Sequence, residues 1–122
     1  MKQYTTPEQT AKLIELGFKK PKSISGYYHR GPYEYDAEAN TKMVVYDDTQ
    51  YPIYAYSIGE LLEILPPYIN NEDDFFGLAI YRGTKWTVAY GGIFDIKIGV
   101  TQTELIDALY DIIVKLKEEK LI

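Results

Sequence analysis

His29 is the only histidine in the chain and the side chain best suited to acid–base chemistry or metal binding near neutral pH. Asp36, or Asp47 with Asp48, could supply carboxylates to a metal held by His29. A zinc site needs three or four converging ligands, and these residues lack the short spacing of a ligand motif. The chain has no cysteine, which excludes thiolate ligands, thiolate nucleophiles and disulfides. We therefore expect His29 to be a solvated loop residue, and we predict no metal and no cofactor.

Two acidic clusters are candidates for calcium binding, DDTQ at residues 47–50 and NNEDDF at residues 70–75. An EF-hand loop has glycine at its sixth position and glutamate at its last position. Counted from Asn70, the sixth position is Phe75, and the first cluster has neither the glycine nor the glutamate. Both clusters are therefore predicted to be solvated turns.

Motifs for other kinds of catalysis are missing from the sequence. A serine nucleophile would have His29 as its only base, and there is no nucleophile-elbow pattern. The glycines at positions 83, 91, 92 and 99 do not have the spacing of a phosphate-binding loop. Some pair of carboxylates can always be chosen among 18 acidic residues, so a pair alone indicates no catalytic site. We predict that the chain is not an enzyme.

Tyrosine is unusually frequent, at 13 of 122 residues, and a large share falls at positions 27, 28, 33, 35, 46, 51, 54 and 56. Tyrosine combines a large contact area with a low entropy cost, which favours its use in interfaces. One interpretation is that these rings pack over a sheet with their hydroxyl groups in water. The other is that they form a contact surface, with the candidate protein-binding residues Tyr27, Tyr28, His29, Arg30, Tyr33 and Tyr35.

The two interpretations differ in where the rings lie. Burying so many tyrosines would require many hydrogen-bond partners for their hydroxyl groups, so we expect several to stay accessible. The sequence predicts that Tyr54 and Tyr56 lie nearer the core. It places the following residues on or beside a surface loop: Tyr27, Tyr28, Tyr33 and Tyr35, with His29 and Arg30 at the rim.

Three helices are predicted from capping boxes, in which a Ser or Thr side chain and a Glu or Gln three residues later each accept a hydrogen bond from the other residue's backbone N–H. In chain order, the pairs are Thr6 with Gln9, Ser57 with Glu60, and Thr101 with Glu104. The first helix should end at Gly17, since glycine readily adopts the left-handed conformation that closes a helix. The second should end before Pro66. Its predicted apolar face is Ile58, Leu61, Leu62 and Leu65.

Strands are predicted between the second and third helices, where apolar and polar residues alternate. The break around Gly83 makes a hairpin, and a three-residue loop is favoured because it brings to one face Leu78, Ile80, Trp86, Val88 and Tyr90. A turn at Gly91 and Gly92 and a third strand at residues 94–98 should follow. Residues 43–46 and 53–55 look extended, and residues 23–40 are predicted to be a loop that can include a short strand.

Composition is typical of a folded globular protein, with 46% hydrophobic and 25% charged residues. We predict a single domain over residues 1–122 and an α+β fold. Its small antiparallel sheet should have three or more strands, with three helices packed mainly on one face. No apolar run approaches the ~20 residues that span a bilayer. The first residues also lack the apolar core of a signal peptide. We therefore expect a cytoplasmic protein that does not bind membranes.

The net charge is −5 and the pI about 4.8, without a basic stripe. This charge predicts no direct binding of nucleic acid, because a phosphate backbone requires a cationic surface. One small basic cluster, Lys19, Lys20 and Lys22, follows the first predicted helix, and a second lies in the third helix. Cations at a helix C-terminus interact favourably with the helix dipole, which would account for both clusters.

Four segments of the chain, taken in their order, carry a resemblance to other proteins: TTPEQTAKLIELGFKKP, MVVYDDTQYPIYAYSIGELLEILP, the strand WTVAY, and ELIDALYDIIVKLKEE. Together they resemble small uncharacterised proteins carried by phages and other mobile elements of gut bacteria. The resemblance covers most of the chain and departs most at residues 91–100. It implies a bacterial-cytoplasmic or phage setting and a shared fold, since the segments are largely helix caps and core. It supplies no catalytic or binding residue.

Three functions are compatible with these observations. The leading hypothesis is a non-enzymatic accessory protein of a mobile element. It would bind another protein, whose identity the sequence does not give. The alternative is an acidic mimic of nucleic acid that occupies a DNA- or RNA-binding host protein. The third is a minor virion or assembly component. The first requires a tyrosine-rich surface, whereas the second requires a surface lined by carboxylates.

Overall fold

The structure, a computed structural model, describes residues 1–29, 33–36, 41–44, 50–71, 74–91 and 96–122. The helices and strands in these residues are, in chain order, α1 (Pro7–Glu15), β1 (Ile24–His29), β2 (Tyr33–Asp36), β3 (Thr41–Val44), β4 (Gln50–Tyr54), α2 (Ile58–Ile64), β5 (Tyr68–Asn71), β6 (Asp74–Arg82), β7 (Trp86–Gly91), β8 (Ile96–Gln102) and α3 (Leu105–Glu118). They belong to two compact units. The body comprises residues 1–23 and 55–122, and the ribbon comprises residues 24–54. The prediction of a single domain stays a prediction.

Helix α1 begins and ends as predicted. The Thr6 hydroxyl accepts a hydrogen bond of 3.1 Å from the Gln9 N–H, and the Gln9 side chain accepts one of 2.9 Å from the Thr6 N–H. At the other end Gly17 has a positive φ of 97°. The N–H of Phe18 then bonds the Leu13 carbonyl at 3.2 Å, which is the reversal expected of a Schellman motif.

Helix α2 also has its predicted capping box, with the Ser57 hydroxyl 3.1 Å from the Glu60 N–H and the Glu60 carboxylate 3.2 Å from the Ser57 N–H. Leu65 is extended, with φ −73° and ψ 125°, so the helix ends before Pro66 as expected. The predicted apolar face is wrong at one position. Leu61 is fully buried, but Leu62 is 37% exposed.

The predicted cap of α3 is wrong. Helix α3 begins at Leu105, its N-cap is Glu104, and no side chain caps it. Thr101 belongs instead to β8, where it pairs with Thr87 of β7, and the two hydroxyls lie 2.8 Å apart. The Glu104 carboxylate accepts a hydrogen bond of 3.1 Å from the Lys2 N–H. Both residues of the predicted box are therefore used in tertiary contacts.

The body contains a four-stranded antiparallel sheet in the order β5-β6-β7-β8. In the β6–β7 hairpin Arg82 pairs with Trp86, which confirms a three-residue loop, here residues 83–85. Strand β8 confirms the predicted third strand from Ile96 onward, although residues 92–95 lie outside the described part. Strand β5 was not predicted; it pairs Asn71 with Asp74 of β6, and residues 72–73 of the second acidic cluster lie outside the described part.

The core lies between this sheet and the helices, which confirms the α+β prediction. Helix α3 packs on β7 and β8, and α2 packs on α3. Helix α1 contributes the fully buried Leu13. The buried side chains of α3 are Leu105, Ile106, Ala108, Leu109, Ile112, Ile113 and Leu116. Burial of this continuous face is the main hydrophobic contribution to the stability of the body.

The ribbon consists of two antiparallel strand pairs, β1 with β4 and β2 with β3. Residues 23–40 were predicted mainly as a loop, but β1 and β2 both lie there. Strands β3 and β4 confirm the extended prediction for residues 43–44 and 53–54; residues 45–46 lie outside the described part. Along the chain the β2–β3 pair is nested within the β1–β4 pair.

Candidate functional site

The register of β1 and β4 determines which tyrosines share a face of the ribbon. Tyr28 pairs with Tyr51, and Tyr27 pairs with Pro52. Directly opposed residues lie on the same face, and successive residues alternate between faces. Tyr27 and Tyr28 therefore point to opposite sides, so the tyrosines of β1 and β4 are divided between two surfaces.

On one face Tyr28 and Tyr51 form an aromatic pair. Their ring centroids are 5.4 Å apart and the ring planes are inclined by 29°. A stacked pair of this kind contributes roughly 0.5–1.5 kcal/mol beyond the area that it buries. Tyr28 stays 52% exposed, so this contact joins the two strands while about half of its surface is open to solvent.

The other face carries the tyrosine face, defined here as Ile24, Tyr27, Pro52 and Tyr54. A shift in register between Ile24 and Gly26 lets Ile24 pair with Tyr54, which brings Ile24 to the side of Tyr27. Tyr27 is 57% exposed, Tyr54 is 52% exposed and Ile24 is 36% exposed. Tyr27 and Tyr54 are diagonal neighbours across the strand pair, a separation of roughly 7–8 Å between such positions. The result is a run of apolar and aromatic side chains open to solvent.

The predicted site residues are distributed over three locations. Tyr27 and Tyr28 are exposed, but they lie in strand β1 rather than in a loop. His29 is the last residue of β1 and pairs with Gln50. Two further tyrosines lie in β2, where Tyr33 pairs with Val44 and Tyr35 with Lys42. Arg30 lies outside the described residues.

Tyr54 corrects a prediction, whereas Tyr56 confirms one. Both were expected nearer the core, yet Tyr54 is half exposed in β4 and Tyr56 is only 2% exposed. Tyr56 belongs to the body, where its N–H bonds the Thr5 hydroxyl at 3.0 Å and its hydroxyl donates to the Lys19 carbonyl at 2.5 Å. Tyr54 lacks such surroundings because its strand pairs with β1 alone among the described strands.

Ile24 and Pro52 were missed as candidate site residues. The sequence did mark residues 53–55 as extended, but it gave no partner for that strand, since residues 23–40 were assigned to a loop. The irregular register at Ile24 has no clear signal in the sequence either. Without the pairing of β1 with β4, the side of the ribbon on which each residue lies cannot be deduced.

A metal ion would be held by a cluster of acidic, histidine or cysteine side chains. In the ranges that the structure describes, no group of three or more histidine, cysteine, aspartate or glutamate residues is arranged to hold a metal ion. Asp107 forms an ion pair of 2.8 Å with Lys2. Burial opposes ionisation of Asp107, but the hydrogen bonds from Lys2 and Gln9 and the charge of Lys2 outweigh burial and lower its pKa. This carboxylate therefore links the N-terminal segment to α3 through its contact with Lys2.

Two further observations bear on the class of protein. Among the described residues, none of the helices combines the length and apolar character needed to cross a membrane. No protein-family model, curated protein or solved structure matches the chain.

Proposed function

We propose that this chain is a small non-enzymatic protein-binding module and that the tyrosine face is its contact surface. The observation that carries the proposal is the exposure of Ile24, Tyr27 and Tyr54 side by side on one face of a strand pair. Two strands alone are marginally stable in water, and a partner that covers this face removes apolar surface from water. Exposed apolar patches of this kind commonly mark interaction sites.

The chemistry of the face favours a protein partner over a nucleic acid. Its four residues carry no charge, and the chain has a net charge of −5, which repels a phosphate backbone. Pro52 and the two tyrosines lose little conformational freedom on binding. Their rings offer apolar area, and their hydroxyl groups offer hydrogen bonds to a peptide backbone. The alternative of an acidic nucleic-acid mimic is supported by the net charge alone.

The setting of this function follows from the four-segment resemblance described above. In that setting the module is an accessory protein of a phage or other mobile element, acting in the cytoplasm of its bacterial host. The resemblance rests on helix caps and core residues, so it bears on the setting and leaves the contact surface to be argued from the ribbon.

The proposal is tested with a photo-reactive phenylalanine analogue, p-benzoylphenylalanine, placed at position 27 and, as a control, at position 81. Tyr81 lies in the body and is as exposed as Tyr27, at 57% for both. After irradiation in lysate of a gut bacterium, we expect a discrete cross-linked adduct from position 27 and none from position 81.

A double variant, Tyr27→Ala with Tyr54→Ala, provides the second measurement. It should abolish formation of the adduct from a probe at position 24, while the melting temperature of the body stays within a few degrees because these rings are exposed. The Tyr81→Ala variant should retain the adduct. Equal cross-linking from positions 27 and 81, or an adduct unaffected by the double variant, would contradict the proposal.

A further inference from the structure

A cleft of about 630 Å³ opens in the body between the segment after α1 and helix α2. Sites for small organic ligands commonly occupy roughly 300–1,000 Å³. All of its described lining residues belong to the body, and none of them is one of the four residues of the tyrosine face. The volume of the cleft does not indicate a class of ligand, but the charges and apolar side chains of its lining do.

One part of the lining is cationic. Lys19, Lys20 and Lys22 are exposed and line the cleft. None of the three lysines forms an ion pair with a described residue. Within the described part of the chain, the ion pair that is found joins Lys2 to Asp107. The helix dipole does not account for them, because α1 ends at Glu15 and the dipole acts only within the last turn. Three unpaired cations in an acidic chain are available to an anion.

The backbone that carries these lysines is fixed at both ends. At one end the Tyr56 hydroxyl donates a hydrogen bond of 2.5 Å to the Lys19 carbonyl. At the other end the Glu60 carboxylate accepts hydrogen bonds of 2.9 Å from the Lys22 N–H and 3.3 Å from the Ser23 N–H. Because the segment is already held in place, a ligand does not have to order it on binding.

The rest of the lining includes apolar side chains and two carboxylates, Glu60 and Glu63. Phe18 and Ile64 supply apolar surface, and the Lys117 ammonium lies 5.4 Å from the centroid of the Phe18 ring. Glu60 also accepts hydrogen bonds from Ser57, which hold its carboxylate against α2, and Glu63 is exposed at the cleft. The three lysines outnumber these two carboxylates, so the lining keeps a positive balance. We propose that this cleft binds a small organic anion with an apolar or aromatic body, its acidic group facing the three lysines and its body lying against Phe18 and Ile64.

The probe that tests this proposal is 8-anilinonaphthalene-1-sulfonate. Two control ligands separate its parts: N-phenyl-1-naphthylamine has the aromatic body without the charge, and inorganic sulfate has the charge without the body. Fluorescence titration gives the dissociation constants of the aromatic ligands, and amide chemical-shift changes in a ¹H–¹⁵N spectrum locate each ligand. We expect the sulfonate to shift residues 18–23 and 60–64 and to bind more tightly than either control.

The variant that tests the lysines is Lys19→Gln, Lys20→Gln and Lys22→Gln together, with Lys115→Gln on the exposed side of α3 as the matched control. The triple variant should weaken sulfonate binding by about tenfold or more, since it removes all three of the positive charges that face the acidic group. The control should bind as the wild type does. Melting curves establish that all variants are folded.

Three outcomes would overturn the proposal. The first is equal affinity of the wild type for the sulfonate and the uncharged amine. The second is unchanged sulfonate affinity in the folded triple variant. The third is chemical-shift change confined to the ribbon, which would place the probe on the tyrosine face instead.

Discussion

The Glu60 carboxylate accepts a hydrogen bond of 2.9 Å from the backbone N–H of Lys22, 38 residues earlier in the chain. The same carboxylate caps the first turn of α2 by accepting the Ser57 N–H. One side chain therefore stabilises a helix terminus and holds a distant segment against that helix. Sequence reasoning assigned Glu60 only the first of these roles.

The double role of Glu60 predicts unequal costs for the two members of the capping box. Ser57→Ala should lower the free energy of unfolding by about 1 kcal/mol through loss of the cap. Glu60→Ala should cost more, about 1.5–3 kcal/mol, because backbone N–H groups of the distant segment also lose a charged acceptor. Urea unfolding measures both. The exposed Glu63 is the control, and Glu63→Ala should change stability by no more than about 0.5 kcal/mol. Equal costs for Ser57→Ala and Glu60→Ala would show that the tie to Lys22 contributes nothing.

The same carboxylate predicts a loss of stability in acid. Burial opposes ionisation of Glu60, but hydrogen bonds from Ser23, Lys22 and Ser57 outweigh burial and hold its pKa below the ordinary 4.5. A lowered pKa in the folded state means that the stabilisation is present above pH 4.5 and is lost as the pH falls through the folded-state pKa. Unfolding free energies measured across this range should decline less steeply for Glu60→Gln. A residual decline should remain, because the pKa of Asp107 is also lowered. An unchanged slope in the variant would contradict this assignment.

Two adjacent leucines of α2 provide a matched pair for testing the core. Leu61 is fully buried and Leu62 is 37% exposed. Leu61→Ala should cost about 2–5 kcal/mol because it leaves a cavity. Leu62→Ala should cost about 1 kcal/mol or less, since a partly exposed side chain leaves no enclosed void. Chemical denaturation of the two variants gives the comparison, and similar losses would mean that α2 is rotated relative to the arrangement described.

Tyr90 predicts a loss of stability in alkali. Its ring is fully buried, its hydroxyl donates a hydrogen bond of 2.6 Å to the Pro66 carbonyl, and burial raises its pKa to about 12. Because the ordinary value is 10.0, the unfolded chain loses this proton first. The stabilisation is complete below pH 10 and is lost as the pH rises toward 12. The Tyr90→Phe variant should lose less stability over this range, as followed by urea unfolding, whereas Tyr81→Phe should behave like the wild type.

Local signals predicted α1 and α2 well, because their caps are closed by residues that lie next to each other in the chain. The Thr101–Glu104 pair shows where such signals fail. Its spacing matches a capping box, yet Thr101 pairs across the sheet with Thr87, and Glu104 bonds the backbone of Lys2. A motif that depends on local hydrogen bonds is overridden when tertiary partners take the same groups.

The candidate site was predicted only in part for a related reason. The density of tyrosines directed attention to residues 27–56, and in this segment Tyr27 and Tyr28 are exposed. The division into two faces follows from strand register, which is fixed by the pairing of β1 with β4 and by the irregularity at Ile24. Both are long-range features. Composition therefore identifies a tyrosine-rich segment, but it cannot predict that Tyr54 is exposed and Tyr56 is buried.

The N–H of Ala55 bonds the carbonyl of Ser23 at 3.1 Å, so the body closes at the point where residues 24–54 leave and return. None of the described residues in the buried core cluster comes from that segment. Residues 24–54 are therefore an insertion whose ends meet, and we expect the body to fold when a short glycine connector replaces them. An architecture of this kind lets evolution exchange one inserted segment for another while the supporting scaffold and its core sequence stay unchanged.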